Sequence, residues 1–157
     1  MYTAPSQYTY LPLTAYVAAS PASGPQDDHL WESPAYPVLT RSLRRGDSNL
    51  LMQVVGDSMD NGTERSIPHG SLVLVDKADL EFHQLRRGYV YVFVTPDGAT
   101  VAKVYALHKG RPALKSLNPD YSPIRDFRRD GYQPIGLLYG VRETADRIRM
   151  IGAYPDV

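Results

Sequence analysis

Between Tyr89 and Leu107 the chain reads YVYVFVT, then Pro96-Asp97-Gly98, then ATVAKVYAL. β-Branched and aromatic residues crowd both runs, and Pro-Asp-Gly is turn chemistry, so this stretch is two strands with a turn between them. The same punctuation recurs. Leu50–Val55 is a strand running into a Gly56-Asp57 turn, and Ser71–Asp76 is a buried strand after the turn Ile67-Pro68-His69-Gly70. Ala113–Leu117 and Gln133–Arg142 continue the pattern, with a further candidate at Arg147–Ile151. Short strands at regular spacing, bounded by Gly and Pro, predict a mostly β, mostly antiparallel domain. Ala78–Leu85 is expected to make one helical turn. Pro37–Leu50, with Leu39, Leu43 and the basic cluster Arg41, Arg44 and Arg45, reads as a solvated linker or short helix.

At 157 residues the chain fits one domain with room for an arm, and 43% hydrophobic content can supply its core. Seventeen basic residues balance seventeen acidic ones, so no global field draws the chain to nucleic acid or an anionic membrane. There is no cysteine, which excludes disulfides, thiolate zinc sites and a cysteine nucleophile. The longest clearly apolar run, Tyr89–Val94, is too short to cross a bilayer. Leu11–Ala19 has the flavour of a signal h-region, but no Lys or Arg precedes Arg41, so the positive n-region is missing. The expectation is a soluble, cytoplasmic protein with no membrane partner.

Residues 1–40 differ from the rest. They hold six of the thirteen prolines, five of the twelve tyrosines and no positive charge, the mark of an extended arm preceding a domain at 41–157. Tyr8–Val17 alternates loosely and is expected to pair as an edge strand, limited to an edge by Pro12. Ala18–Asp28 is small, polar and rich in Pro and Gly, and reads as an exposed flexible loop. Lacking helical periodicity and cations, the arm is not a helix-turn-helix, and direct sequence-specific DNA binding is not expected.

Two residues stand out as chemistry. Ser58 follows a glycine-containing turn, and Lys103 lies inside the apolar run VAKVY. A serine hydroxyl needs a base to become a nucleophile, and a lysine serves as that base only when it is neutral, which desolvation favours. Strand alternation puts Val101, Lys103, Tyr105 and Leu107 on one face. Each residue also has a plain reading: Lys103 can snorkel from a sheet edge, and Gly-Asp-Ser is a common turn. Spacing leaves both open. His29, His69, His83 and His108 show no paired ligand spacing, so no metal or other cofactor is expected, and a Ser-His-Asp triad has no motif behind it.

Taken together, Gly56-Asp57-Ser58-Met59, Ile67–Asp76, Val101-Ala102-Lys103-Val104, Leu117–Ile124 and Ile135–Leu138 resemble, in order, the blocks of the LexA/UmuD family of self-cleaving serine peptidases. The resemblance covers roughly residues 50–141 and implies a LexA/signal-peptidase-like β-rich catalytic domain. It implies Ser58 as nucleophile, Lys103 as general base, and an oxyanion hole from backbone N–H groups near Asp57 and Ser58. The stretch between Ser58 and Lys103 is longer than is usual for the family, with extra residues around Thr63–Ser66 and Leu80–Arg87.

Because only an arm precedes the peptidase blocks, the resemblance is strongest to the UmuD type. That implies self-cleavage in the arm, stimulated by a RecA–single-stranded-DNA filament in the DNA-damage (SOS) response. It also implies a homodimer that assists an error-prone Y-family DNA polymerase. The family cuts an Ala-Gly or Cys-Gly bond; here Ala19-Ser20 occupies that register, with Ser23-Gly24 as fallback. The substituted bond raises an alternative, a catalytically silent LexA-like dimerisation module; type I signal peptidases, which share the Ser-Lys logic, need a membrane anchor.

Overall fold

The computed structural model describes residues 7–18, 34–44 and 48–157, the side chains of 15–18 excepted. Nine strands among these residues form one mixed sheet: β1 (Tyr8–Ala18), β2 (Ala35–Leu39), β3 (Asn49–Val55), β4 (Leu72–Lys77), β5 (Val90–Val94), β6 (Thr100–His108), β7 (Arg111–Lys115), β8 (Gln133–Arg142) and β9 (Ile148–Met150). Their order is β2-β1-β3-β4-β8-β5-β6-β7, with β9 paired to β8. Ala18, the last residue of β1, pairs with both Val55 of β3 and Val101 of β6. The path from β3 through β4, β8 and β5 to β6 therefore returns to β1, and the sheet closes on itself at that residue.

β6 shows how the sequence drives this arrangement. Alternation sends Ala102, Val104 and Ala106 into one core with Met52, Val54, Val73, Val75, Val92 and Leu138. The opposite face carries Val101, which packs with Tyr91, Phe93, Leu114 and Phe127. A strand apolar on both faces is fixed in register by burial on both sides. A third cluster, Leu13, Val38, Leu51, Leu74 and Tyr139, ties β1 and β2 to the domain. At Gly136 on β8, a Cβ would sit 2.7 Å from the Asp76 carbonyl oxygen, so only glycine lets β8 approach β4 here.

Most expected strands are present within a residue or two, and the expected helical turn is a 3₁₀ turn at Phe82–Gln84, closed by a capping box between Glu81 and Gln84. Three expectations need correction. The expected linker or short helix from Pro37 begins instead with β2, whose Pro37 is tolerated because β2 pairs, among the described residues, with β1 alone. Thr40–Ser42 then forms a 3₁₀ turn.

β1 is not an edge strand. Residues 8–12 pair antiparallel with β2, and residues 13–18 pair parallel with β3. Pro12 ends the first ladder, so its missing N–H falls where the strand changes partners. The parallel pairings of β1 with β3 and β6 make the sheet mixed, and its other ladders are antiparallel, as expected of a mostly antiparallel domain. Finally, β7 ends at Lys115, which leaves Ser116 and Leu117 beyond it. Among the described residues no helix is long and apolar enough to cross a membrane.

Candidate active site

β3 delivers the chain into a turn at Gly56, whose φ of 93° is readily adopted by glycine. The turn is braced from several sides. The Gly56 N–H donates to His69 Nδ1 at 2.9 Å, and the Asp60 N–H donates to the Asp57 carbonyl at 3.0 Å. From the loop after β7, the Asn118 N–H donates to the Ser58 carbonyl at 2.8 Å, and the Asn118 side-chain amide reaches the Asp57 carbonyl at 3.3 Å. Tyr121 donates its hydroxyl to the Asp57 carboxylate, which raises the phenol above its ordinary pKa. Met59 and Leu117 anchor turn and loop in the same core. With the Asp57 carbonyl held, planarity of the Asp57–Ser58 peptide aims the Ser58 N–H the opposite way.

Ser58 and Lys103 meet in this frame. Lys103 Nζ lies 3.2 Å from Ser58 Oγ and 2.7 Å from Ser116 Oγ. Ser58 is fully buried, and Lys103 is 3% exposed. Lys103 therefore does not snorkel, and that reading falls. Burial disfavours the ammonium and lowers its pKa from 10.5 to about 8. The Tyr121 ring centroid lies 5.8 Å from the amine, walling one side of it. A neutral amine within hydrogen-bond reach of a serine hydroxyl is what a lysine base requires.

The other sequence candidates sort by position. Asp57 stands in the turn with its carboxylate engaged by Tyr121 rather than by a cation. His69 accepts the Gly56 N–H and so acts as a brace of the turn. His108 stands at the end of β6 beside Arg125, and His83 lies in the 3₁₀ turn. Among the described residues no group of His, Asp and Glu is arranged to hold a metal ion. Ala19, Ser20, Ser23, Gly24 and His29 lie outside the described residues. The described chain leading to them is β1, whose final residue pairs with Val101, two positions before Lys103, and with Val55, three before Ser58.

Ser116, Asn118 and Tyr121 received no role from the sequence. Asn118 and Tyr121 sat within a block already singled out for its resemblance, but their bonds cross 61 and 64 residues of chain. Ser116 was hidden by the strand boundary: with β7 at its observed position, the register pairing Val104 with Lys115 puts Ser116 beside Lys103.

A search of curated proteins finds no match to this chain. A scan against family profiles matches Peptidase S24-like over residues 12–136, a span that contains β1, the Ser58 turn, Lys103 and the bracing loop. A match over most of the sequence, together with a buried serine–lysine pair, supports one conclusion: the chain belongs to the Peptidase S24-like family of LexA/UmuD-type serine peptidases.

Proposed function

We propose that this protein is a UmuD-like serine endopeptidase that cuts its own N-terminal arm, with Ser58 as nucleophile and Lys103 as general base. The observation that carries the reading is the 3.2 Å approach of Lys103 Nζ to Ser58 Oγ in a buried site, at the end of the strand that leads to the candidate bond. Neutral Lys103 takes the Ser58 hydroxyl proton as Oγ attacks the Ala19 carbonyl carbon. The N–H groups at Asp57 and Ser58 stabilise the oxyanion, and the held Asp57 carbonyl favours that orientation of the Ser58 N–H. Collapse of the tetrahedral intermediate breaks the Ala19–Ser20 bond, and the lysine returns its proton to the Ser20 amine. Water then hydrolyses the Ser58 ester with Lys103 again as base.

The resemblance extends the proposal to a cytoplasmic homodimer acting in the DNA-damage response. There a RecA–single-stranded-DNA filament favours the docked arm, a population shift rather than new chemistry, and the trimmed dimer assists an error-prone Y-family polymerase. The arm of residues 1–40 carries the cleavage site in this scheme, and the domain from 41 supplies the dyad.

The test is intact mass of purified protein after incubation at alkaline pH, beside Ser58→Ala. Loss of a fragment ending at Ala19, absent in the variant, is the expected result. No loss, even with activated RecA filament, would favour the silent dimerisation module.

A further inference from the structure

Beyond Lys103, β6 runs out of the core into a region of different chemistry. His108 and Arg111 form the closing pair of the β6–β7 ladder, so they share a face, and Ala106 opposite Ala113 continues that face inward. Ile124 bridges antiparallel to Leu114, which brings the next residue, Arg125, alongside Ala113. His108, Lys109, Arg111 and Arg125 thereby line a cleft of about 350 Å³, completed by Pro112, Ala113 and Asp126. Ala113 is buried, and its small side chain leaves open a space that a larger one would fill.

The charge here is unbalanced. Among the described residues none of Lys109, Arg111, Lys115 and Arg125 forms an ion pair. The one carboxylate of the lining, Asp126, is taken by Arg129 at 3.0 Å. Seventeen cations match seventeen anions in the whole chain, so this excess is a local arrangement. The imidazole of His108 registers it. Arg125 Nη2 lies 3.2 Å from His108 Nε2, and a guanidinium only donates, so the ring accepts and is neutral. Desolvation, then the charges of Arg125, Lys115 and Lys109, lower its pKa below the ordinary histidine value.

The turn adds a second observation. Lys109 and Gly110 have φ of 52° and 79°, the positive pair of a type I′ hairpin. Lys109 is the one non-glycine residue with positive φ among those described, so a cation is held where asparagine would suit the backbone better. These cations converge on one concave site rather than following a surface track, which fits a compact polyanion better than a nucleic-acid backbone. Arg111 and Arg125 offer N–H forks matched to phosphate oxygens, and Lys109 adds a point charge.

We propose that this cleft at the β6–β7 turn binds a compact polyphosphate, a diphosphate or triphosphate group, through Arg111, Arg125 and Lys109. Inorganic polyphosphate and the tail of a nucleotide share that chemistry. The site is separate from Ser58 and Lys103, and its ligand binding does not depend on self-cleavage.

The first test is isothermal titration calorimetry at low ionic strength with the full chain carrying Ser58→Ala, so that the arm stays intact. Pyrophosphate is expected to bind saturably. The double variant Arg111→Gln, Arg125→Gln should weaken it at least about tenfold, the scale of lost charge-assisted hydrogen bonds. Lys109→Asn suits the left-handed turn and should weaken binding severalfold while circular dichroism shows the fold retained. Arg87→Gln removes one charge, as Lys109→Asn does, from an exposed position outside the cleft, and should leave affinity within about twofold because solvent screens it. Absence of saturable binding overturns the proposal, as does no loss in the double variant or a loss in Arg87→Gln equal to that in Lys109→Asn.

The second test locates the ligand by NMR titration of His108. Pyrophosphate should raise its midpoint, because an anion among Lys109, Arg111, Lys115 and Arg125 offsets the charges that keep the ring neutral. Pyrophosphate that binds and leaves the midpoint unmoved lies elsewhere and overturns the proposal. ADP separates the two sources: tighter binding than pyrophosphate assigns the tail of a nucleotide, and binding no tighter assigns free polyphosphate. A single-stranded oligonucleotide without terminal phosphates that outcompetes pyrophosphate overturns the compact ligand in favour of a nucleic-acid backbone.

Discussion

β1 and β6 meet at the pair Ala18 and Val101, yet they are held there by different physics. β6 lies between β5 and β7 and is apolar on both faces, so burial fixes its register and carries Lys103 into a buried site. Over its second half, β1 is held on one flank by the parallel ladder to β3 and closes on β6 only at its tip. Its buried anchor, Leu13, lies at the start of that half. The strand that carries Lys103 is thus built into the core, and the backbone of the strand that leads to the proposed bond is held by its ladder to β3. That contrast suits the proposed self-cleavage, in which a core strand carries the dyad lysine and β1 leads to the bond.

Four experiments press on that contrast. Ser58→Ala and Lys103→Ala should each slow self-cleavage by on the order of a thousandfold or more while circular dichroism shows the fold retained. A Lys103→Ala variant that cuts at the wild-type rate would end the assignment of β6 as the catalytic strand.

Stability should respond in the opposite direction. The fall of the Lys103 pKa from 10.5 to about 8 means that its ammonium is penalised on folding by about 3 kcal/mol when both states are charged. In a Ser58→Ala background, Lys103→Met should therefore stabilise the protein by up to about that amount at pH 7. The sign follows from a folded pKa below the unfolded one. The penalty is complete below about 8, shrinks as pH rises towards 10.5, and is gone above it, so the two denaturation curves should converge in that window. No gain at pH 7 would mean that the lysine is neither desolvated nor strained by burial.

The wild-type cutting rate should climb about tenfold per pH unit below about 8 and level off above it, because only the neutral amine is a base. A flat profile from neutral to alkaline pH would remove Lys103 from that role. The smallest expected effect lies on the arm. Tyr16 pairs with Gln53 in the parallel ladder, and Tyr16→Pro takes away its backbone donor. Cleavage should fall roughly tenfold with little change in the stability of the rest of the sheet. If the global melt drops as far as it does for a core substitution, β1 is as much a part of the core as β6, and the contrast is lost.

What the sequence disclosed follows the same line. β5, β6 and β8 are legible because their residues are β-prone and apolar whatever surrounds them, and Lys103 is conspicuous because it interrupts such a run. The prolines at 34 and 37 mask β2, which is a strand because β1 pairs with it and Val38 is buried. Pro12 likewise suggested an edge, where the structure uses it to change partners. Within the site, the two dyad residues could be named from motif order, but the contact between them is a product of closure across 45 residues. Ser116 depended on where β7 stops, a boundary that propensity does not fix to the residue. Asn118 and Tyr121 act through a loop, whose partners no periodicity encodes.

The threading of β1 has a consequence for what a cut would look like. Scission after Ala19 breaks one covalent bond and none of the hydrogen bonds that seat residues 8–18. The ladders to β2 and β3, the Thr40 N–H bond to the Gln7 carbonyl, the Tyr8–Asp146 contact and the buried Leu13 all lie upstream of the bond. The severed peptide would remain as a noncovalent subunit of the protein it came from, and a nicked molecule would elute at its uncut size. Gel filtration would then miss a reaction that a denaturing gel reveals, and shedding the peptide would be a separate step with its own rate, open to control by whatever can pull a strand out of a sheet.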